Sequence, residues 1–225
     1  METLQAPHEK TPARWQPLVA LVCFAGFIVG FGALHVLRQD LDPRVNFGSE
    51  YALGREGWIM GLNFVLFGAG LLVLGDGLLR TPWARRRFSQ VGIGFLLLAG
   101  TSFFVSIFFP TDPLGAPATP SGTIHATFGL IVFLSIPVGA MVLTAALWPE
   151  ERWRSSRWPL ATLAIASLAA FLVFPPLAAS GLAGLGQRIA LSAYLPWLIT
   201  CAAHLRHIAA PELSVPAGAA AHEVA

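Results

Sequence analysis

Charge is scarce in these 225 residues: only 12% are Asp, Glu, Lys or Arg, 55% are hydrophobic, and the formal net charge is +2. A chain so poor in charge does not dissolve as an ordinary globular domain, and so small an excess of positive charge gives no footing for a nucleic-acid partner. Cysteine is nearly absent. Its two copies, Cys23 and Cys201, stand inside hydrophobic segments, which excludes a disulfide framework and predicts free buried thiols. A Walker loop, an H-E-x-x-H zinc helix and a G-x-S-x-G nucleophile elbow are also missing. So is the apolar/polar alternation of a transmembrane barrel, because the apolar runs are continuous.

What is present in quantity is long apolar sequence. About twenty helical residues cross roughly 30 Å of hydrocarbon. Six stretches meet that length, near 15–37, 57–79, 89–109, 122–148, 159–179 and 187–205. The expected fold is therefore all-α: a six-transmembrane-helix bundle over 15–208, with a short tail over 1–14 and a disordered tail over 209–225. The first run is too long for a cleaved signal peptide, and no small-residue cleavage site follows it. Ten of the Lys and Arg residues fall in the tails and even-numbered loops, including Arg80, Arg85, Arg86, Arg87, Arg152, Arg154 and Arg157. Four fall on the other side, at Arg38, Arg44, Arg55 and Arg188. By the positive-inside rule both termini are cytoplasmic. Trp15, Trp83, Trp148, Trp153 and Trp158 then gather at the inner interface as an aromatic belt.

The opposite, outer end collects mixed polar chemistry: His35, the segment R-Q-D-L-D-P-R, S-E-Y, Asn63, Ser106, T-D-P, His125, Gln187 and Arg188. Polar groups at membrane depth are costly unless they face one another or water, so their recurrence on several helices predicts a shared pocket. The runs HVLRQDLDPRVNFGSEYALGREGWIM and FFPTDPLGAPATPSGTIHATFGL, followed by G-Q-R before the last helix, resemble the bacterial membrane family known as domain of unknown function 998. The resemblance covers about 20–205. It implies a six-helix protein of the bacterial inner (cytoplasmic) membrane and directs attention to Ser49, Glu50, Tyr51, Asp112, His125 and Arg188.

Each of these residues has a structural and a chemical reading. Asp112 between Pro110 and Pro113 is either a turn former or a carboxylate partner for His125, which a short loop ties to it. Arg188 either snorkels to the interface or clamps a phosphate or carboxylate. Glu50 is either solvated or folded with Ser49, Tyr51 and Arg55 over the mouth of the bundle. Asp76 and Arg80 form an acid-first i,i+4 pair near the inner interface. His204 and His207 lack companions for a metal, and Gly68, Gly70, Gly75 and Gly77 permit close helix contact.

Three functions fit. The preferred one binds or moves a small anionic ligand or a lipid headgroup in the outer pocket, with Ser49, Glu50, Tyr51, Arg55 and Arg188 as ligand-binding residues, membrane lipids as partners, and no metal or cofactor. A hydrolase or transferase would use His125 as general base oriented by Asp112, alone or with a metal. A b-type haem protein would use His35 and His125.

Overall fold

The computed structural model describes residues 15–209. Lys10, Arg14 and the tail beyond 209 lie outside the described residues, as does the disorder expected of that tail. Six long helices run in sequence: α1 Trp15–Leu37, α2 Gly57–Leu79, α3 Arg87–Phe108, α4 Pro120–Leu147, α5 Arg157–Ala179 and α6 Ala183–Ile208. Among the described residues there is no strand. Five of the helices are long and apolar enough to cross a membrane. The sixth is as long, but Gln187, Arg188, His204, Arg206 and His207 concentrate polarity at its two ends.

Successive helices pack as antiparallel neighbours, and α6 returns against α1 to close the bundle. The start of α1 and the end of α6 therefore share one end: a Cβ on Gly77 of α2 would touch both Gln16 and Leu205. The glycines of α2 mark close crossings. Gly68 and Gly100 of α3 face each other so tightly that a Cβ on either would approach the other's carbonyl within 3.0 Å. Both cysteines are free and buried.

Proline inside a helix leaves the carbonyl four residues earlier without its donor. At Pro137 of α4 that carbonyl belongs to Phe133, and the fully buried Tyr194 of α6 donates its hydroxyl to it at 2.9 Å. The proline in one helix thus leaves the acceptor that holds a tyrosine of another. Tyr194→Phe is expected to destabilise the fold by about 1–3 kcal/mol, the cost of orphaning a buried carbonyl. Unfolding in a denaturing-detergent titration measures it, and an unchanged midpoint would mean that the carbonyl has found another donor.

The inner end is held by ion pairs. Asp76 meets Arg80 at 2.9 Å and also accepts from the buried Gln16 at 2.9 Å, and Arg86 reaches Glu150. The tryptophans divide. Trp15, Trp148 and Trp158 are exposed on the flank, as an interfacial belt requires. Trp83 and Trp153 are instead buried edge-to-face against each other, with ring centroids 6.2 Å apart, because the short 3-10 turns Pro82–Arg85 and Glu151–Ser156 fold their tryptophans under the bundle. These two correct the expectation of a five-membered belt. His204 is held by Ser156 Oγ and by the Arg152 carbonyl, each at 2.7 Å, so both of its ring nitrogens serve the same inner plug.

Candidate functional site

The outer end is where the sequence's polar residues meet backbone left without partners. Helix α3 stops at Phe108: Pro110 cannot donate to the Ser106 carbonyl and Pro113 cannot donate to that of Phe109, which leaves both open. His125, one turn into α4 and buried, donates Nδ1–H to the Phe109 carbonyl at 2.7 Å, and the Ser106 carbonyl faces the same ring. The imidazole therefore caps α3 from a neighbouring helix.

Asp112 does not orient it. Both Asp112 carboxylate oxygens bond Thr119, one accepting from the backbone N–H at 2.9 Å and the other from the hydroxyl at 2.7 Å. These bonds hold the Asp112 carboxyl below the usual carboxylate range. Thr119 is in turn the N-cap of α4, its hydroxyl accepting from the Gly122 N–H at 3.0 Å, with Pro120 at the first helical position. A Cβ on Gly122 would overlap the Asp112 carboxylate. Asp112 is the closing staple of the second outer loop.

Glu50 ties that loop to the first one. It is only 3% exposed, and its two oxygens accept from the Phe47 N–H at 2.7 Å, the Asn46 side chain at 3.0 Å and the Leu114 N–H at 3.0 Å. The first outer loop also docks on the start of α6, where N–H groups lack intrahelical acceptors. The Gly184 and Leu185 N–H groups donate to the Val45 and Arg44 carbonyls at 3.2 and 2.8 Å. Gln187 accepts from the Gly48 N–H.

Arg188 completes this seam. Its guanidinium donates to the Asn46 and Gly184 carbonyls at 2.9 and 3.0 Å and to His35 Nε2 at 2.8 Å, lying 5.5 Å from the ring centres of Phe31 and Tyr51. His35 donates its Nδ1–H to the Phe31 carbonyl at 2.7 Å, so both of its nitrogens are engaged and neither is presented to a haem iron. Asn46 joins Arg188 to the buried Glu50, accepting from the first through its carbonyl and donating to the second through its side chain. Tyr51 is fully buried in the same cluster. Arg38 pairs with Asp40 at 2.8 Å and also donates to the Leu53 carbonyl. On the exposed edge of the loop, Arg44 holds the Asp42 carboxyl down to about 2. Arg55 lies exposed on the loop.

Beneath this roof lies a cavity of about 280 Å³ to which all six helices contribute. Seven phenylalanines form most of its wall, among them Phe27, Phe64, Phe103, Phe133 and Phe174. Its polar lining is neutral: Ser49, Ser106, Thr111, His125 and Gln187. Ser49 and His125 thus reach the cavity, whereas Glu50, Tyr51, Asp112 and Arg188 do not line it and instead bond the surrounding loops together. The phenylalanines were missed in the sequence. Their signal was the recurrence of Phe at helical spacing, Phe27 with Phe31, Phe64 with Phe67, and Phe171 with Phe174. No group of three His, Cys, Asp or Glu side chains with the spacing of a metal site occurs among the described residues.

A model of the protein family of unknown function DUF998 matches residues 21–204. The chain belongs to the DUF998 family. No curated protein and no solved structure matches it. In this DUF998 protein the matched span contains every residue that lines the cavity, from Phe27 to Leu191, together with the Glu50 strap and the Arg188 seam.

Proposed function

We propose that this DUF998 protein binds a membrane lipid in the roofed cavity, at the extracytoplasmic side of a bacterial inner membrane, with both termini in the cytoplasm. The observation that carries this reading is the lining itself. Walls of phenylalanine gain free energy by covering apolar surface at about 25 cal/mol per Å², and a few neutral hydrogen-bonding groups at one end suit the polar start of a chain. A volume of 280 Å³ sits at the lower edge of small-molecule sites, which run from about 300 to 1,000 Å³. That size fits one hydrocarbon chain.

Of the two ligands expected from the sequence, the lipid is favoured over a free small anion. Neither Arg nor Lys lines the cavity, and the Arg188 guanidinium is directed at His35 and at backbone carbonyls. The polar end of the ligand would meet Ser49, Gln187 and His125.

Gly129 offers a direct test. It lines the cavity, and a Cβ added there meets nothing within 4 Å. Gly129→Phe is expected to fill the space without disturbing the fold, and to cut the lipid retained through purification at least tenfold, as counted by mass spectrometry of the intact complex. Equal retention by a folded Gly129→Phe variant would sink the assignment.

A further inference from the structure

The route into the cavity follows from which of its sides are sealed. The roof consists of Phe47, Gly48 and Ser49 from the first outer loop and Thr111 from the second. It is bonded down on both flanks: on α6 through Gly48 to Gln187 and Asn46 to Arg188, and on the second loop through Glu50 to the Leu114 N–H. A molecule arriving from the aqueous outer side would have to break several of these part-buried hydrogen bonds at once.

The side facing α4 differs. A second hollow of about 520 Å³ runs along the first turns of α4 under the loop Asp112 to Ala118. It shares Phe47, Thr111, Ala126 and Leu130 with the main cavity, so the two spaces meet at a common neck. Its floor is the exposed stripe Thr123, Ala126, Thr127 and Leu130, spaced i, i+3, i+4 and i+7 along one face of the helix. Leu130 is 60% exposed and stands on the flank that the bilayer covers, while Thr123, Thr127 and Asp112 make the upper end of the groove polar. Apolar below, polar above and open to the side is the shape a bilayer lipid needs in order to pass one chain inward and leave its headgroup at the interface. Again no Arg or Lys lines the groove, so nothing there selects a negative headgroup.

We infer that the cavity is loaded sideways from the bilayer: one acyl chain of a zwitterionic phospholipid passes the neck at Ala126 and Leu130 into the phenylalanine cavity, while the headgroup stays in the α4 groove beside Asp112 and Thr123. This rests on the lipid-binding reading and adds the route, the headgroup class and the residues that gate it.

The test uses the full chain in phosphatidylcholine vesicles doped with phosphatidylcholine that carries a diazirine at the end of one acyl chain, with adducts mapped by mass spectrometry after irradiation. The expected wild-type pattern has adducts on Phe133, Phe171 or Phe174 inside the cavity as well as on lipid-facing positions such as Val29 and Leu172. Ala126→Trp is expected to reduce the cavity adducts at least tenfold and leave those at Val29 and Leu172 unchanged. Leu130→Trp, at a position already exposed, repeats the block should Ala126→Trp fail to fold. Cavity adducts that persist in folded neck variants would overturn the lateral route while leaving lipid binding intact. Wild-type protein without cavity adducts would remove the lipid reading itself. Tenfold stronger cavity labelling with the matching phosphatidylglycerol probe would overturn the headgroup assignment.

Discussion

Glu50→Ala is expected to loosen the whole outer end of the bundle and to destabilise the protein by about 3 kcal/mol or more. Glu50 is 3% exposed and satisfies three donors, two of them backbone N–H groups. Leaving one buried donor unmade costs about 1–3 kcal/mol, and a donor to a charged acceptor sits at the upper end of that range. Because the Leu114 bond is the one that joins the two outer loops, the loss is not confined to one of them. Glu50→Gln keeps one carbonyl acceptor and is expected to fall between wild type and the alanine variant. Thermal unfolding in detergent gives the order, and hydrogen exchange at the Phe47 and Leu114 amides locates the damage. A solvated Glu50 would show neither effect, and a Glu50 that served only to bind ligand would change affinity without changing exchange in these loops.

Gly184→Val is expected to be at least as damaging, by a steric route. A Cβ at Gly184 would overlap the Asn46 carbonyl and lie against the Pro43 carbonyl, both main chain. Backbone cannot rotate out of the way as a side chain can. Relief requires lifting the first outer loop from α6, and that breaks the Gly184-to-Val45 and Leu185-to-Arg44 bonds which satisfy the first turn of the helix. Overpacking alone costs about 1–3 kcal/mol, and the uncapped helix start adds about 1 kcal/mol more. The measured result should be a lower yield of folded protein and loss of the Arg188 contact to Asn46. Wild-type stability in Gly184→Val would show that the loop does not dock as described.

The helices were legible because their ends are written in residue chemistry. Pro110 and Pro120 stop and start α3 and α4, and arginine clusters mark the inner turns, so all six spans fall within a few residues of their expected places. That the polar residues of the outer end share one depth was also legible, since a membrane makes isolated polar groups expensive. Rotation about each helix axis was not. Phe103 is buried in the cavity wall and Phe108, five residues on, is 77% exposed. Sequence treats the two alike, because lipid and protein interior are equally apolar. The same gap explains Asp112 and His125: the loop between them is short, but unpaired helix-end carbonyls competed for the imidazole and Thr119 competed for the carboxylate. Arg188 reads either as a snorkelling residue or as a clamp for a ligand, and the sequence did not show that its guanidinium bonds Asn46, Gly184 and His35.

The lipid reading places an acyl chain in the space between the phenylalanines. A density map of the wild-type protein in a phospholipid nanodisc tests it most directly. A bound lipid would give continuous elongated density from the Ala126–Leu130 neck past His125 to Phe133 and Phe174. A map that resolves those side chains and shows the space between them empty, or filled by separate water peaks, would contradict it.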